Sequence, residues 1–192
     1  MNKTKLVNCF LSGRRKSISK YENQTEELQS KVLQKLIRQA IHTEWGQTHG
    51  FAQVNDYNSF TKTSPINTYE ELKGYIDRMR RGEKDVLWSG KVRWYAKSSG
   101  TTNDKSKFIP VSKECLQDTH YRGGTDAVAL YLGQNPRSRM FDGKALILGG
   151  SHSPNYNLPH SLVGDLSAIL IENVSPFVNH FRIPSKEIAL LG

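Results

Sequence analysis

From Tyr95 to Pro110 the chain reads YAKSSGTTNDKSKFIP, and this stretch restricts the fold more than any other. Val92 to Lys97 and Lys107 to Val111 have strand character, and a glycine-centred run of hydroxyls lies between them. The pattern predicts a β-loop-β hairpin, not a strand turning into a helix. That distinction bears on function. Polyphosphate oxygens only accept hydrogen bonds, so a loop that holds them must offer freed backbone N–H groups, hydroxyls and a cation on a flexible stem. Ser98, Ser99, Thr101 and Thr102 supply hydroxyls around Gly100, and Lys105 and Lys107 supply cations. Glycine lets the backbone come close to a ligand. A Walker A loop is excluded: counted from Gly100, its second glycine would fall on Lys105, and a helix would have to follow. No G-x-G-x-x-G fingerprint occurs either. The plain alternative is a Ser/Thr/Asn/Asp turn that only joins two strands.

SSGTTNDKSKFIP resembles the phosphate-binding motif of adenylate-forming enzymes, the superfamily of acyl-CoA synthetases, luciferases and non-ribosomal peptide adenylation domains. The order of TEWGQTHGF, YEELKGYIDRMRRGE and VRWYAKSSGTT is most similar to the Gretchen Hagen family of auxin-responsive acyl-acid amido synthetases, in its bacterial branch. The likeness runs from about residue 25 to the end. The loop alone implies the superfamily, and its position after the two upstream segments points to the family. The resemblance implies ATP and Mg²⁺ as cofactors and small carboxylic acids and amino acids as substrates. The acid would be activated as an acyl-adenylate and captured by an amine. It further implies that Ser98, Ser99, Gly100, Thr101 and Thr102 form the nucleotide-phosphate loop and that Lys107 is its lysine. They would grip the β- and γ-phosphates while Mg²⁺ and lysine offset developing charge. No catalytic residue is assigned.

Two positions depart from the superfamily pattern: Asn103 stands where glycine is usual and Ser106 where proline is common. Asparagine tolerates left-handed backbone, and the loss of proline loosens the loop without removing a ligand. Members of the resembled family are well over twice this length. The chain shows no later adenine-binding motif, ribose-binding aspartate motif or small C-terminal domain, and its apolar close, IPSKEIALLG, reads as a cut inside a domain. The expectation is a basic leader helix or arm over 1–22, then the N-terminal portion of an incomplete adenylate-forming domain over 23–192, inactive alone. An acyl- or aryl-CoA ligase would share the loop. A non-catalytic basic binding or regulatory fragment would keep it as a relict.

The net charge of +9 separates these readings less than it first suggests. Six cations and no acid lie in residues 1–20, and a polybasic arm for nucleic acid or anionic lipid is one reading of them. No helix-turn-helix, zinc-finger or RNA-binding pattern accompanies them, so a solvated amphipathic leader is expected and nucleic acid is not an expected partner. Lys91, Arg93, Lys97, Lys105 and Lys107 are expected to cluster around the phosphate loop. Cys9 and Cys115 have no metal or C-x-x-C spacing, and no apolar run reaches the length of about eighteen residues that a membrane span needs. A reduced, cytoplasmic protein is expected. Its oligomeric state is not legible.

Periodicity and caps predict a helix from Asn23 to about Trp45, a short one over Val54 to Phe60, and one from Thr68, capped by Glu71, to about Arg81 with Gly82 as its stop. A helix is expected from Ser112 to about Leu132, weakened or closely packed at Gly123 and Gly124. Lys144 to Leu148 reads as a buried strand, Ala168 to Glu172 as another, and a helical segment follows Pro184. This alternation argues an α/β layered domain with a mixed sheet flanked by helices, the first part of an adenylate-forming enzyme's large N-terminal domain. GGSHSPN at 149–155 reads as a tight turn, with the border of an acyl pocket as the alternative. His152 and His160 lack a third metal ligand at suitable spacing, and Ser151 lacks the G-x-S-x-G context of a nucleophile.

Overall fold

The computed structural model describes residues 3–98 and 106–190. In chain order the helices are α1 (Lys3–Phe10), α2 (Ser12–Ile18), α3 (Lys20–Asn23), α4 (Thr25–Ala40), α5 (Glu44–Thr48), α6 (Tyr57–Thr63), α7 (Tyr69–Arg80), α8 (Arg122–Gln134), α9 (Leu166–Asn173), α10 (Pro176–Asn179) and α11 (Lys186–Ala189). The strands are β1 (Trp94–Lys97), β2 (Phe108–Val111), β3 (Ala145–Leu146), β4 (Leu162–Gly164) and β5 (Arg182–Ile183). They form one sheet in the order β2-β1-β4 and a second from β3 and β5. The β1–β2 pair is antiparallel and β3–β5 parallel, so the expected α/β arrangement with mixed strands flanked by helices is present, distributed over two sheets.

The chain divides into two compact units. One comprises residues 24–112 and 153–163. Its core joins Ile76 and Met79 of α7 to Val86, Val92, Tyr95 of β1 and Val163 of β4, with Tyr69, Leu72 and Phe108 packed at the margin. The sequence predicted this helix well because every signal was local. The Glu71 carboxylate accepts from the Thr68 N–H at 2.6 Å and the Thr68 hydroxyl at 2.7 Å, and Gly82 leaves the helix at a φ of 95°. Those hydrogen bonds hold the Glu71 carboxyl below its ordinary pKa.

A second core in the same unit gathers Ile37, Ala40, Phe51 and Val54. Here the expected long helix is corrected at both ends. Asn23 belongs to the preceding α3, and α4 stops at Ala40, short of Trp45. Thr43, fully buried, donates its hydroxyl to the Ala40 carbonyl at 2.7 Å and accepts the Gly46 N–H at 3.0 Å, so one side chain both closes the corner after α4 and caps α5. A Cβ on Gly46 would lie 2.1 Å from the Ala40 carbonyl oxygen. The TEWGQ segment is therefore a packed corner that the helical period could not reveal. Val54–Phe60 is likewise corrected to α6 at Tyr57–Thr63, because Asp56 and Ser59 form a reciprocal capping box.

The other unit comprises residues 1–23, 113–152 and 164–192. The basic leader is helical, but one side of it is packed: Leu11 joins Ala129 and Leu132 of α8 in a buried cluster, and Arg14 pairs with Asp126 at 2.5 Å. That pairing raises the arginine pKa further above its ordinary value. The helix expected from Ser112 begins as a π-helical stretch, Cys115–Tyr121, that runs into α8; Gly123 and Gly124 sit in its first turn facing open space, not a packed backbone. Ala168 to Glu172 is not a strand. It lies in α9, whose Ala168, Ile169 and Ile171 are buried, and an unbroken apolar run gives no period that separates helix from strand. The Lys144–Leu148 strand shortens to β3 and is exposed, with Leu146 at 67%.

Candidate functional site

β1 and β2 form the stem of the predicted hairpin. Their register pairs Trp94 with Val111, Tyr95 with Pro110, Ala96 with Ile109 and Lys97 with Phe108. Pro110 is tolerated because β2 is an edge strand. The ladder continues one step past the strands: the Ser98 N–H donates to the Lys107 carbonyl at 2.9 Å, and the Lys107 N–H donates to Ser98 Oγ at 3.3 Å. Ser98 and Lys107 therefore face each other at the stem's end. Ser99, Gly100, Thr101 and Thr102 lie outside the described residues.

What surrounds the stem was only partly foreseen. Because Ser98 and Lys107 make the ladder bonds, the adjacent Phe108 N–H points away from β1 and needs another acceptor. Tyr69, the first residue of α7, supplies it through its hydroxyl at 2.9 Å. The Lys107 ammonium rests 5.5 Å from the Tyr69 ring centre, and the Lys97 ammonium 4.3 Å from that of Tyr156. Arg80, from the last turn of α7, lies 3.8 Å over the Phe108 ring and donates to the Tyr156 carbonyl at 2.7 Å. The stem is thus clasped by three cation–aromatic contacts.

The electrostatics favour an anion. Among the described residues no carboxylate lies within ion-pair distance of Lys97, Lys107 or Arg80, and Arg80 Nε is buried without a hydrogen-bond partner. Tyr95, fully buried two residues before Lys97, also has a hydroxyl without a partner there; burial pushes its pKa up to about 12, against the smaller opposing pull of Arg80. Uncompensated cations beside a donor-rich loop suit phosphate oxygens. For a divalent metal the described residues hold no cluster of three or more His, Cys, Asp or Glu side chains.

The stem brings Ser98 and Lys107 together as the local hairpin pattern implied, with Lys97 beside Ser98 at the end of β1. Tyr69, Arg80 and Tyr156, which pack against the stem, carry no signal in the sequence. Arg80 and Tyr156 are 76 residues apart, and nothing in either neighbourhood announces the contact. Lys91 and Arg93 are corrected in the other direction: they precede β1 and line a cavity that includes neither Ser98 nor Lys107. The GGSHSPN segment, expected as a tight turn, is instead an extended stretch in which His152 bridges Gly164, followed by a 3-10 turn at Pro154–Tyr156. Gly150 N–H donates to Ser167 Oγ at 2.7 Å and Ser151 N–H to Asp165 Oδ2 at 3.1 Å.

Residues 14–190 match the family model described as the GH3 family N-terminal domain. A jasmonoyl–L-amino acid synthetase of Nicotiana attenuata is 32% identical over 108 residues, which cover 54% of this chain and 19% of that protein. An indole-3-acetic acid-amido synthetase of Arabidopsis thaliana is 32% identical over 93 residues, covering 48% of this chain and 16% of its own length. Among solved structures, a GH3.15 acyl acid amido synthetase superposes with a TM-score of 0.70 at 22% identity, over 89% of this chain and 30% of that one. The chain thus spans less than a third of the relatives it matches.

Proposed function

The chain belongs to the GH3 family, and from that premise we propose that it is the N-terminal, phosphate-gripping portion of an ATP-dependent acyl-acid amido synthetase. The observation that carries the reading is the hairpin stem. Ser98 and Lys107 face each other across it, and Lys97, Lys107 and Arg80 stand around it with no described carboxylate to neutralise them. The named relatives, a jasmonoyl–L-amino acid synthetase and an indole-3-acetic acid-amido synthetase, support a carbon–nitrogen ligase. In this reading the chain contributes to a ligase of the adenylate-forming superfamily, bacterial branch, in the cytoplasm. Residues 1–22 form its leader and 23–192 the first part of its large domain.

ATP with Mg²⁺, when bound, supplies the group that activates a small carboxylic acid for transfer to an amino acid. The chain's own residues do the holding. Ser98, Ser99, Thr101 and Thr102 donate hydroxyl hydrogen bonds, Gly100 admits close approach of the backbone, and Lys107 moves from the Tyr69 ring to a phosphate oxygen. Arg80 and Tyr69 keep the stem in place by binding Phe108 and Tyr156, so Ser98 and Lys107 are positioned before the ligand arrives.

Calorimetry of ATP·Mg²⁺ with the 192-residue chain, beside its Ser98→Ala/Ser99→Ala/Lys107→Ala variant, tests this proposal. Binding that disappears in the variant supports the loop as the nucleotide site. Equal binding by both removes it. If deletion of residues 1–20 abolished a salt-sensitive nucleic-acid affinity while the chain ignored ATP, the non-catalytic binding reading would replace this one.

A further inference from the structure

The basic residues that the sequence seemed to assemble around one loop are divided between the two ends of β1. Arg93 immediately precedes the strand and Ser98 immediately follows it, so about 16 Å of extended chain separates them at ~3.3 Å per residue. At the Arg93 end lies a cavity of about 320 Å³ lined by Lys91, Arg93, Pro159, His160, Ser161 and Leu162. We propose that this cavity is a second anion site, one that takes a small phosphate-bearing molecule independently of the loop.

Three observations converge on it. The wall carries two permanent cations and an imidazole, and no carboxylate. Its geometry is built from backbone. The Leu162 N–H donates to the Arg93 carbonyl at 2.8 Å, and Leu158 and Ser161 exchange N–H···O bonds at 3.0 and 3.1 Å, which closes a tight turn with Pro159 and His160 at its tip. His160 is held against Gly82: a Cβ there would meet the imidazole Cγ and Cδ2 at 2.7 Å, and the glycine's φ of 95° excludes most side chains as well. Gly82 thus ends α7 and also makes room for a ring on the cavity wall. Finally, Ser161 is 1% exposed and its Oγ has no hydrogen-bond partner among the described residues, a cost that a ligand or a water held in the cavity would relieve.

Size decides the ligand class. The volume is at the lower end of small-molecule sites, enough for one phosphate group and a short carbon skeleton but not for a stretch of nucleic acid. Arginine's planar fork suits two oxygens of one phosphate, and lysine adds a point charge.

The test titrates the whole chain with inorganic phosphate and, separately, with glycerol 3-phosphate at constant ionic strength, following backbone amides by nuclear magnetic resonance. Saturable shifts at Lys91, Arg93, Ser161 and Leu162 are expected with one or both probes. A tighter response to glycerol 3-phosphate would assign the site to an organic phosphate, and an equal one to the free anion. At these cavity residues the Lys91→Gln/Arg93→Gln variant should respond with at least about tenfold weaker affinity, as expected for lost charge-assisted bonds, while Ser98→Ala/Lys107→Ala, which alters the proposed nucleotide loop, leaves the midpoint of the shifts at Lys91, Arg93, Ser161 and Leu162 as in the parent. Both glutamine substitutions are at exposed positions, so the fold is retained; Ser161→Ala provides a second variant, with a smaller loss expected. Shifts confined to the 98–107 region, shifts reproduced by chloride at the same ionic strength, or no weakening in the glutamine variant would each overturn the proposal.

Discussion

Two glycine-containing segments follow strands in this chain, and the described polar groups beside them are treated in opposite ways. In the 149–152 segment two backbone donors are used inside the protein: Gly150 and Ser151 donate to Ser167 and Asp165, and Asp165 N–H returns a bond to the Ser151 carbonyl at 3.0 Å. At the 98–107 stem the backbone is just as well tied, but the cations are parked on aromatic rings instead of carboxylates. A ring holds an ammonium weakly and gives it up to an anion at little cost, whereas an ion pair would have to be broken. Composition alone does not separate a ligand loop from a structural turn. What separates the two described regions is whether their cations remain available.

The largest expected effect sharpens that contrast. Lys97→Ala/Lys107→Ala should lower ATP affinity about a hundredfold, two charge-assisted bonds at ~1.5 kcal/mol each, while chemical denaturation stays within about 0.5 kcal/mol of the parent. Comparable loss of stability and binding would break the comparison. Gly150→Ala should behave in the reverse sense. The new Cβ would meet Asp165 Oδ2 at 2.3 Å and Asp165 Cβ at 2.6 Å, so urea denaturation should show a loss of about 1–3 kcal/mol with ATP affinity per folded molecule unchanged.

Tyr69→Phe falls between them. It removes the acceptor of the Phe108 N–H, with an expected cost of about 1 kcal/mol in denaturation and about threefold in ATP affinity through a looser stem. Undiminished affinity would assign Tyr69 to stability alone.

The smallest effect concerns Tyr95. Its pKa is raised to about 12 by burial, from the ordinary value near 10, so between these values the folded chain keeps a proton that the unfolded chain has lost. Stability is therefore full below pH 10 and falls as pH rises through about 12. Tyr95→Phe should flatten this alkaline decline in thermal melts, and it should cost little at neutral pH because the hydroxyl has no described partner. A decline that persists unchanged in the variant would place its origin elsewhere.

Legibility followed the range of the interactions. Helix α7 was readable because its cap, apolar stripe and glycine stop lie within fifteen residues, and the hairpin was readable because both strands adjoin one loop. The corner at Thr43 and Gly46 was not, since the glycine is required by the Ala40 carbonyl and not by any turn signal. The stretch from Ala168 to Glu172 was misread because its apolar residues run together, and packing rather than period made it a helix.

By itself the sequence determined that two strands would pair as a hairpin stem around a hydroxyl-rich segment, with Ser98 and Lys107 facing each other at its end. Those are properties of neighbours along the chain, set by steric and hydrogen-bonding preferences that act within a few residues. Only the tertiary structure decided that Tyr69, Arg80 and Tyr156 would clasp the stem, and that Lys91 and Arg93 would turn to a cavity of their own beside His160. Such contacts join residues far apart in sequence, and their geometry exists only once the core between α7 and β1 has packed.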